Sequence, residues 1–99
     1  MPASTINLGD SNNGDTHEGK GTQVTFHNAE SVSIDLNLPE RGSSSCFAPT
    51  PTSPVTIAVG GDAGPYTISA NANGTYDYSW HPTGSAELAT RTGRIVVDP

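Results

Sequence analysis

The sequence predicts an all-β domain, a Greek-key β-sandwich of about seven strands. Several short segments alternate apolar and polar residues, and they follow one another at a spacing of roughly ten residues. Gly (11) and Pro (8) together form about a fifth of the 99 residues and separate these segments. Strong helix formers are few, which disfavours a helical bundle.

The clearest strand lies in the first half of the chain. The predicted elements there are an edge strand at 5–8, a polar loop at 9–21, strands at 22–28 and 31–38, and a Pro-rich loop at 41–54. In the strand at 31–38 every second residue is apolar, namely Val32, Ile34, Leu36 and Leu38. Pro39 is expected to end this strand, because Pro cannot donate to a ladder.

The second half is predicted to contain a hairpin. Its elements are a strand at 55–59, hairpin arms at 65–70 and 75–80, a loop at 81–92 with a possible short helical turn at 85–89, and a strand at 94–97. Asn73 and Gly74 lie between the two arms, and both tolerate the positive φ of a tight turn. The aromatic strand of Tyr76 and the aliphatic strands of Val32 and Val55 are expected to form the two inner faces.

Composition limits the organisation and the function. One domain is expected over 1–99, with a polar N-terminal strand and loop at 1–21 and the sandwich core at 22–98. The net charge of −6 argues against nucleic-acid binding. No run reaches the ~18 apolar residues of a membrane span, so no transmembrane segment is expected. The single Cys excludes an intrachain disulfide. The composition favours an exported protein if a leader was removed.

Three segments resemble strands of the cupredoxin family, the copper proteins of plastocyanin and azurin type. Residues 21–28 (GTQVTFHN) resemble the family's V-T-F-x-N strand. Residues 74–80 (GTYDYSW) are similar to the G-x-Y-x-Y-x-C strand that leads into the copper loop, and residues 92–97 (TGRIVV) to the closing strand. The resemblance covers roughly residues 20 to 98 and implies a cupredoxin-like sandwich.

The resemblance also implies that the family's copper site is not preserved. The family holds copper through two His, one Cys thiolate and usually an axial Met. Trp80 stands where the Cys is expected, and the position of the first His falls near Ser31. The single Met is Met1, and only His81 lies in the copper-loop position. A scaffold without a blue-copper site is therefore expected.

Two other kinds of metal site are open alternatives. His81, His27 and His17 could bind copper or zinc if the fold brings them together, and otherwise they are unrelated surface residues. The polar loop offers oxygen ligands for calcium, namely Asp10, Asn12, Asp15 and Glu18. Gly14 occupies a position at which an EF-hand loop supplies a calcium ligand. A mobile acidic loop is therefore the alternative interpretation.

Trp80 and the single Cys each allow two interpretations. Trp80 shares a strand face with Tyr76 and Tyr78, which indicates core packing, but with Pro82 it could also form an exposed patch that contacts a partner or a sugar. Cys46 could act as a nucleophile with a nearby base, yet no family signature surrounds it, which favours a buried or incidental thiol. No nucleophile elbow, phosphate-binding loop or paired carboxylates are present, so no catalytic residue is assigned.

The leading functional hypothesis is a non-enzymatic interaction or assembly module. It would present loops or a sheet edge to a protein partner or to copies of itself, without a cofactor. The alternatives are copper or zinc handling through the histidines and carbohydrate or surface recognition through Trp80.

Overall fold

The chain folds into two β-sheets that share one apolar core. The computed structural model describes residues 3–9, 11–41, 44–49, 51–84 and 90–97. These residues include no helix, so the predicted all-β class is confirmed, and none forms a helix long and apolar enough to cross a membrane. The strands are β1 (Ala3–Leu8), β2 (Gly14–Glu18), β3 (Gln23–Asn28), β4 (Ile34–Arg41), β5 (Ser44–Ser45), β6 (Val55–Ile57), β7 (Asp62–Thr67), β8 (Gly74–Pro82) and β9 (Arg91–Val97).

Each sheet takes strands from both halves of the chain. The small sheet has the order β1-β3-β7, and the large sheet has the order β2-β9-β8-β4-β5, with β6 also pairing with β4. Two pairs are parallel, β1 with β3 and β2 with β9, and the others are antiparallel. The segment at 85–89, where a helical turn is predicted, lies outside the described residues.

The core lies between the sheets and follows the period of two that the sequence shows. Val24 and Phe26 of β3 are fully buried, and so are Ile34 and Leu36 of β4. The Phe26 ring meets the Tyr78 ring across the sandwich at a centroid distance of 5.5 Å and an interplanar angle of 63°. Edge-to-face contact of this kind is favourable for aromatic rings, so this pair stabilises the packing of the two sheets.

The predicted assignment of strands to the two inner faces is wrong. The aliphatic strands β4 and β6 and the aromatic strand β8 all belong to the large sheet, because β4 pairs with both of the others. Their inner face packs instead on β1, β3 and β7. An alternating pattern identifies the buried face of a strand, but it carries no information about which strands are neighbours.

The hairpin predicted at Asn73 and Gly74 is also wrong, because β7 and β8 lie in different sheets. The connecting segment passes from one sheet to the other with Ala70, Asn71 and Asn73 exposed, and only Ala72 among these residues is buried, at 2% exposed. The Ser69 N–H donates to the Cys46 carbonyl, and the turn in this segment lies earlier than predicted, where the Ala72 N–H donates to the Ser69 carbonyl at 3.1 Å. The tertiary bond at Ser69 and the turn at 69–72 therefore replace the predicted turn at Asn73 and Gly74.

The bounds of β4 differ from the predicted strand at both ends. Val32 is 43% exposed and precedes β4, which begins at Ile34. The strand continues through Pro39 to Arg41, with a register shift between Asn37 and Glu40. Such a shift removes the need for an N–H at the Pro, so Pro39 interrupts the ladder without ending the strand.

Two strands lie in segments predicted to be loops. β2 occupies part of the polar loop and pairs with β9 from Gly14 to Glu18. β5 lies in the Pro-rich loop and pairs with the last two residues of β4. Both form because a neighbouring strand offers unpaired backbone groups, which can recruit a segment of low strand propensity.

The Tyr78 side chain occupies the space that Gly93 leaves free and bonds to Asn13, the residue before β2. A Cβ at Gly93 would lie 2.4 Å from the Tyr78 hydroxyl, so only glycine leaves room for the ring. The hydroxyl reaches past Gly93 and accepts a hydrogen bond from Asn13 Nδ2 at 3.0 Å. An aromatic ring that covers a strand glycine restores packing that the glycine lacks.

Candidate functional site

His27 and His81 project from opposite outer faces of the sandwich. His27 follows buried Phe26 in the small sheet, and its Nδ1 lies 2.6 Å from Asp62 Oδ1. His81 follows buried Trp80 in the large sheet, and its Nδ1 lies 2.9 Å from the Pro82 carbonyl oxygen. Because successive side chains on a strand point to opposite faces, each imidazole faces away from the core. The sandwich therefore separates the two rings.

His17 lies far from His81 on the large sheet. Val96 of β9 pairs with both His17 and Thr75, so His17 is level with Thr75. His81 is six positions further along β8, a distance of roughly 20 Å at the rise of an extended strand. The structure therefore does not bring the three histidines together. Within the described ranges, no group of three or more His, Cys, Asp or Glu residues could hold a metal ion.

The residues predicted to bind calcium are also apart. Asp10 lies outside the described residues. The Asn12 side-chain oxygen accepts a hydrogen bond from the Thr92 N–H at 2.9 Å. Asp15 and Glu18 project from opposite faces of β2, since Asp15 is exposed and Glu18 is 9% exposed. These three residues therefore do not face a common ion.

Trp80 is a core residue that holds three segments together. Its side chain is fully buried, and its Nε1–H donates to the Gly9 carbonyl at 3.0 Å and to Glu30 Oε2 at 2.9 Å. The Glu30 side chain is only 6% exposed, and its other oxygen lies 3.9 Å from Arg91 Nη2. The indole therefore offers no surface for the predicted partner or sugar contact. Pro82, the other residue of the predicted patch, is half-buried. Sequence reasoning missed Glu30, which carries no motif.

Cys46 does not have the environment of a reactive thiol. It is fully buried, and burial raises its pKa to about 12. A nucleophilic cysteine needs a thiolate near neutral pH. The arrangement therefore agrees with the interpretation of a buried thiol.

One side of the sandwich is closed by backbone hydrogen bonds between the sheets. The Ala48 N–H donates to the Thr67 carbonyl, and the Ser69 N–H donates to the Cys46 carbonyl, each within 2.9 Å. The other side is formed by β1 at the edge of the small sheet and β2 at the edge of the large sheet. No described strand pairs with the outer side of either one.

The backbone of β1 faces this open side at every second residue. The Leu8 carbonyl accepts a hydrogen bond from the Ala29 N–H on the β3 side. The Asn7 carbonyl accepts instead from Asn13 Nδ2, which lies outside the β1–β3 pair. Because backbone groups alternate in direction along a strand, Ala3 and Thr5 share the direction of Asn7. The Thr5 N–H and carbonyl therefore point away from β3.

The two open edges differ in charge. β1 has the sequence ASTINL, with no charged residue, no Pro and no register shift against β3. β2 carries Asp15, His17 and Glu18 along five residues. Charged and inward-pointing polar residues are the usual means by which proteins prevent an edge from pairing with another chain. Only β2 has them, so we define β1 as the open edge.

A polar groove of about 860 Å³ crosses the outer face of the large sheet. Its lining includes Asn12, Asp15, Asn37, Glu40, Ser53, Asp77, Ser79, Thr92 and Arg94. The Arg94 guanidinium lies 3.6 Å from Asp15 and 3.5 Å from Asp77. The groove therefore combines hydroxyl, amide and charged groups on four neighbouring strands.

Comparison with models of known protein families and with the curated proteins found no match to this chain.

Proposed function

We propose that this chain is a non-enzymatic interaction or assembly module, built on a cupredoxin-like Greek-key scaffold, that binds another protein by adding a strand to the open edge β1. The three segments that resemble cupredoxin strands coincide with β3, β8 and β9, and β8 and β9 are neighbours. Asn28, which ends the V-T-F-x-N segment, is 1% exposed and donates to the carbonyls of Val32 and Ile57. These features support the scaffold part of the proposal.

A binding role suits the scaffold better than a blue-copper role. The position that the resemblance assigns to the copper-binding Cys is occupied by Trp80, whose indole is packed in the core and bonded to Glu30. Neither group supplies the thiolate on which that centre depends.

The open edge β1 is the observation that carries the proposal. Strand addition to a sheet edge gains affinity from main-chain hydrogen bonds, each with a net contribution of about 0.5–1.5 kcal/mol. Thr5 directs both its N–H and its carbonyl toward the free side, and Ala3 and Asn7 flank it in the same direction. Small uncharged side chains at these three positions leave room for an incoming strand of either direction.

A peptide titration tests the proposal with a defined probe. The probe is a capped peptide of sequence ASTINL, followed by backbone amide shifts and amide exchange of the ¹⁵N-labelled chain. We expect the shifts to be largest in β1 and the Thr5 amide to become protected.

The matched control compares two substitutions of equal charge. Thr5→Lys places a charge on the open edge, whereas Thr52→Lys places it on an exposed loop residue. We expect Thr5→Lys to weaken peptide binding at least tenfold and Thr52→Lys to leave it unchanged. Equal binding by both variants, or shifts centred on another strand, would contradict the proposal.

The groove on the outer face favours a second candidate, recognition of a neutral oligosaccharide. A row of hydroxyl and amide side chains, Asn37, Ser79 and Thr92, crosses three adjacent strands at one level of the sheet. Such groups both donate to and accept from sugar hydroxyls. Calorimetry with cellohexaose and xylohexaose tests this candidate. Binding that Asn37→Ala removes and Thr52→Ala retains would support it, and absence of heat with both sugars would exclude these ligands.

A further inference from the structure

We infer that the strand which adds to the open edge is β1 of a second copy of this chain, antiparallel, with the two-fold axis at Thr5. This inference rests on the proposed function and names its partner. The product is a continuous six-stranded sheet. Its order is β7-β3-β1 in one copy, followed by β1-β3-β7 in the second copy.

The pattern of outward backbone groups selects Thr5 as the axis. Ala3, Thr5 and Asn7 direct their N–H and carbonyl groups to the free side, and the Asn7 carbonyl, which already accepts one hydrogen bond from Asn13 Nδ2, has a second lone pair for an incoming N–H. A two-fold axis at Thr5 places it opposite Thr5 of the second copy and Ala3 opposite Asn7. All outward residues then become hydrogen-bonded pairs. An axis at Ala3 or Asn7 would leave part of this set unpaired.

Electrostatics favours self-pairing at β1 over any other edge. Each copy has a net charge of −6, so two copies repel one another. Residues 3–8 carry no charge, and they therefore form a contact strip without local repulsion. Pairing of β2 with itself would instead bring together the carboxylates of Asp15 and Glu18.

The remaining repulsion predicts a dependence on salt. Screening shortens the Debye length from about 10 Å at 0.1 M salt to about 3 Å at 1 M. Salt lowers the repulsion between the two acidic bodies, whereas it does not weaken backbone hydrogen bonds between neutral strands directly. We therefore expect dimerisation to become tighter as NaCl is raised.

Cross-linking between introduced cysteines tests the partner and the register together. Residues at a hydrogen-bonded antiparallel pair have Cα atoms about 5.5 Å apart, which a disulfide can span. Thr5→Cys should therefore form a disulfide-linked dimer on mild oxidation. Asn7→Cys should not link to itself, because the two Asn7 positions are about 14 Å apart along the strands. The parent chain, with Cys46 buried, is the background control.

A mixed experiment removes dependence on a single variant. When Ala3→Cys and Asn7→Cys chains are mixed, we expect the hetero-disulfide to exceed both homo-disulfides. Sedimentation of the parent chain should show a monomer–dimer equilibrium that moves toward dimer between 0.1 M and 1 M NaCl. Thr5→Lys should remain monomeric under both conditions, and Thr52→Lys should behave as the parent.

The outcomes separate this inference from the proposed function. Cross-linking of Thr5→Cys no faster than that of Thr52→Cys, with no excess of the hetero-disulfide, would overturn the inference. The proposed function would survive that result if the ASTINL peptide still binds β1, and it would fall with it if the peptide does not. Self-linking of Asn7→Cys in preference to Thr5→Cys would overturn the assigned axis.

Discussion

Replacement of Trp80 by Phe removes a buried donor that connects distant parts of the chain. The indole Nε1–H bonds to the Gly9 carbonyl between β1 and β2 and to Glu30 between β3 and β4. Phe keeps an aromatic ring in the core but leaves both acceptors without this donor. The Glu30 carboxylate is affected most, since its side chain is only 6% exposed to water.

The expected loss of stability follows from the two bonds and the smaller ring. A hydrogen bond to a charged group contributes about 1.5–3 kcal/mol, and one to a neutral carbonyl contributes about 1 kcal/mol. The volume lost between Trp and Phe adds a cavity contribution of order 1 kcal/mol. We therefore expect Trp80→Phe to lower the free energy of unfolding by about 3.5–5 kcal/mol.

A double-mutant cycle isolates the bond between Trp80 and Glu30. Glu30→Gln keeps the shape of the side chain and removes its charge, including the interaction with Arg91. Urea unfolding of the parent, both single variants and the double variant, followed by far-UV circular dichroism, gives the coupling free energy. We expect about 1–2 kcal/mol, since the Gln oxygen still accepts a weaker bond.

Two results would refute this reasoning. A coupling free energy below about 0.5 kcal/mol would show that the Trp80–Glu30 bond does not contribute beyond the packing of the two residues. A loss of less than about 1 kcal/mol in Trp80→Phe would show that water replaces the indole without cost. Val32→Ala, at a position that is 43% exposed, is the control and should change stability by no more than about 0.5 kcal/mol.

Three further predictions concern buried positions. Gly93→Ala should lower the free energy of unfolding in urea by about 1–3 kcal/mol because its Cβ would meet Tyr78. Gly9→Ala, where a Cβ has nothing within 4 Å, should be nearly neutral. Equal effects of the two variants would contradict this prediction. Asn28→Ala should cost about 2–4 kcal/mol in the same assay, since it leaves three backbone carbonyls without their donor. Burial raises the pKa of the Cys46 thiol in the folded chain from 9.0 to about 12. Its contribution to stability should therefore be complete below pH 9 and decline as the pH rises toward 12. If the stability of the parent and of the Cys46→Ala chain fell identically at alkaline pH, this prediction would be refuted.

The sequence by itself determined the all-β class and most of the inward-facing residues. The period of two in 22–28 and 31–38 identified Val24, Phe26, Ile34 and Leu36 as core, and all four are fully buried. It also placed an edge strand near the N-terminus, which is β1 at the edge of the small sheet. These features are local, because the alternation of side chains along one strand depends only on its own backbone.

The tertiary structure alone decided which strands are neighbours and which residues meet. The Asn73-Gly74 turn preference was overridden when β7 and β8 joined different sheets. The three histidines, candidate metal ligands in the sequence, were separated by the sandwich and by the length of β8. The open edge β1 also depends on the tertiary structure, since it is defined by the absence of a second neighbour among the described strands. Pairing between segments far apart in sequence is a property of the whole chain, and local patterns do not encode it.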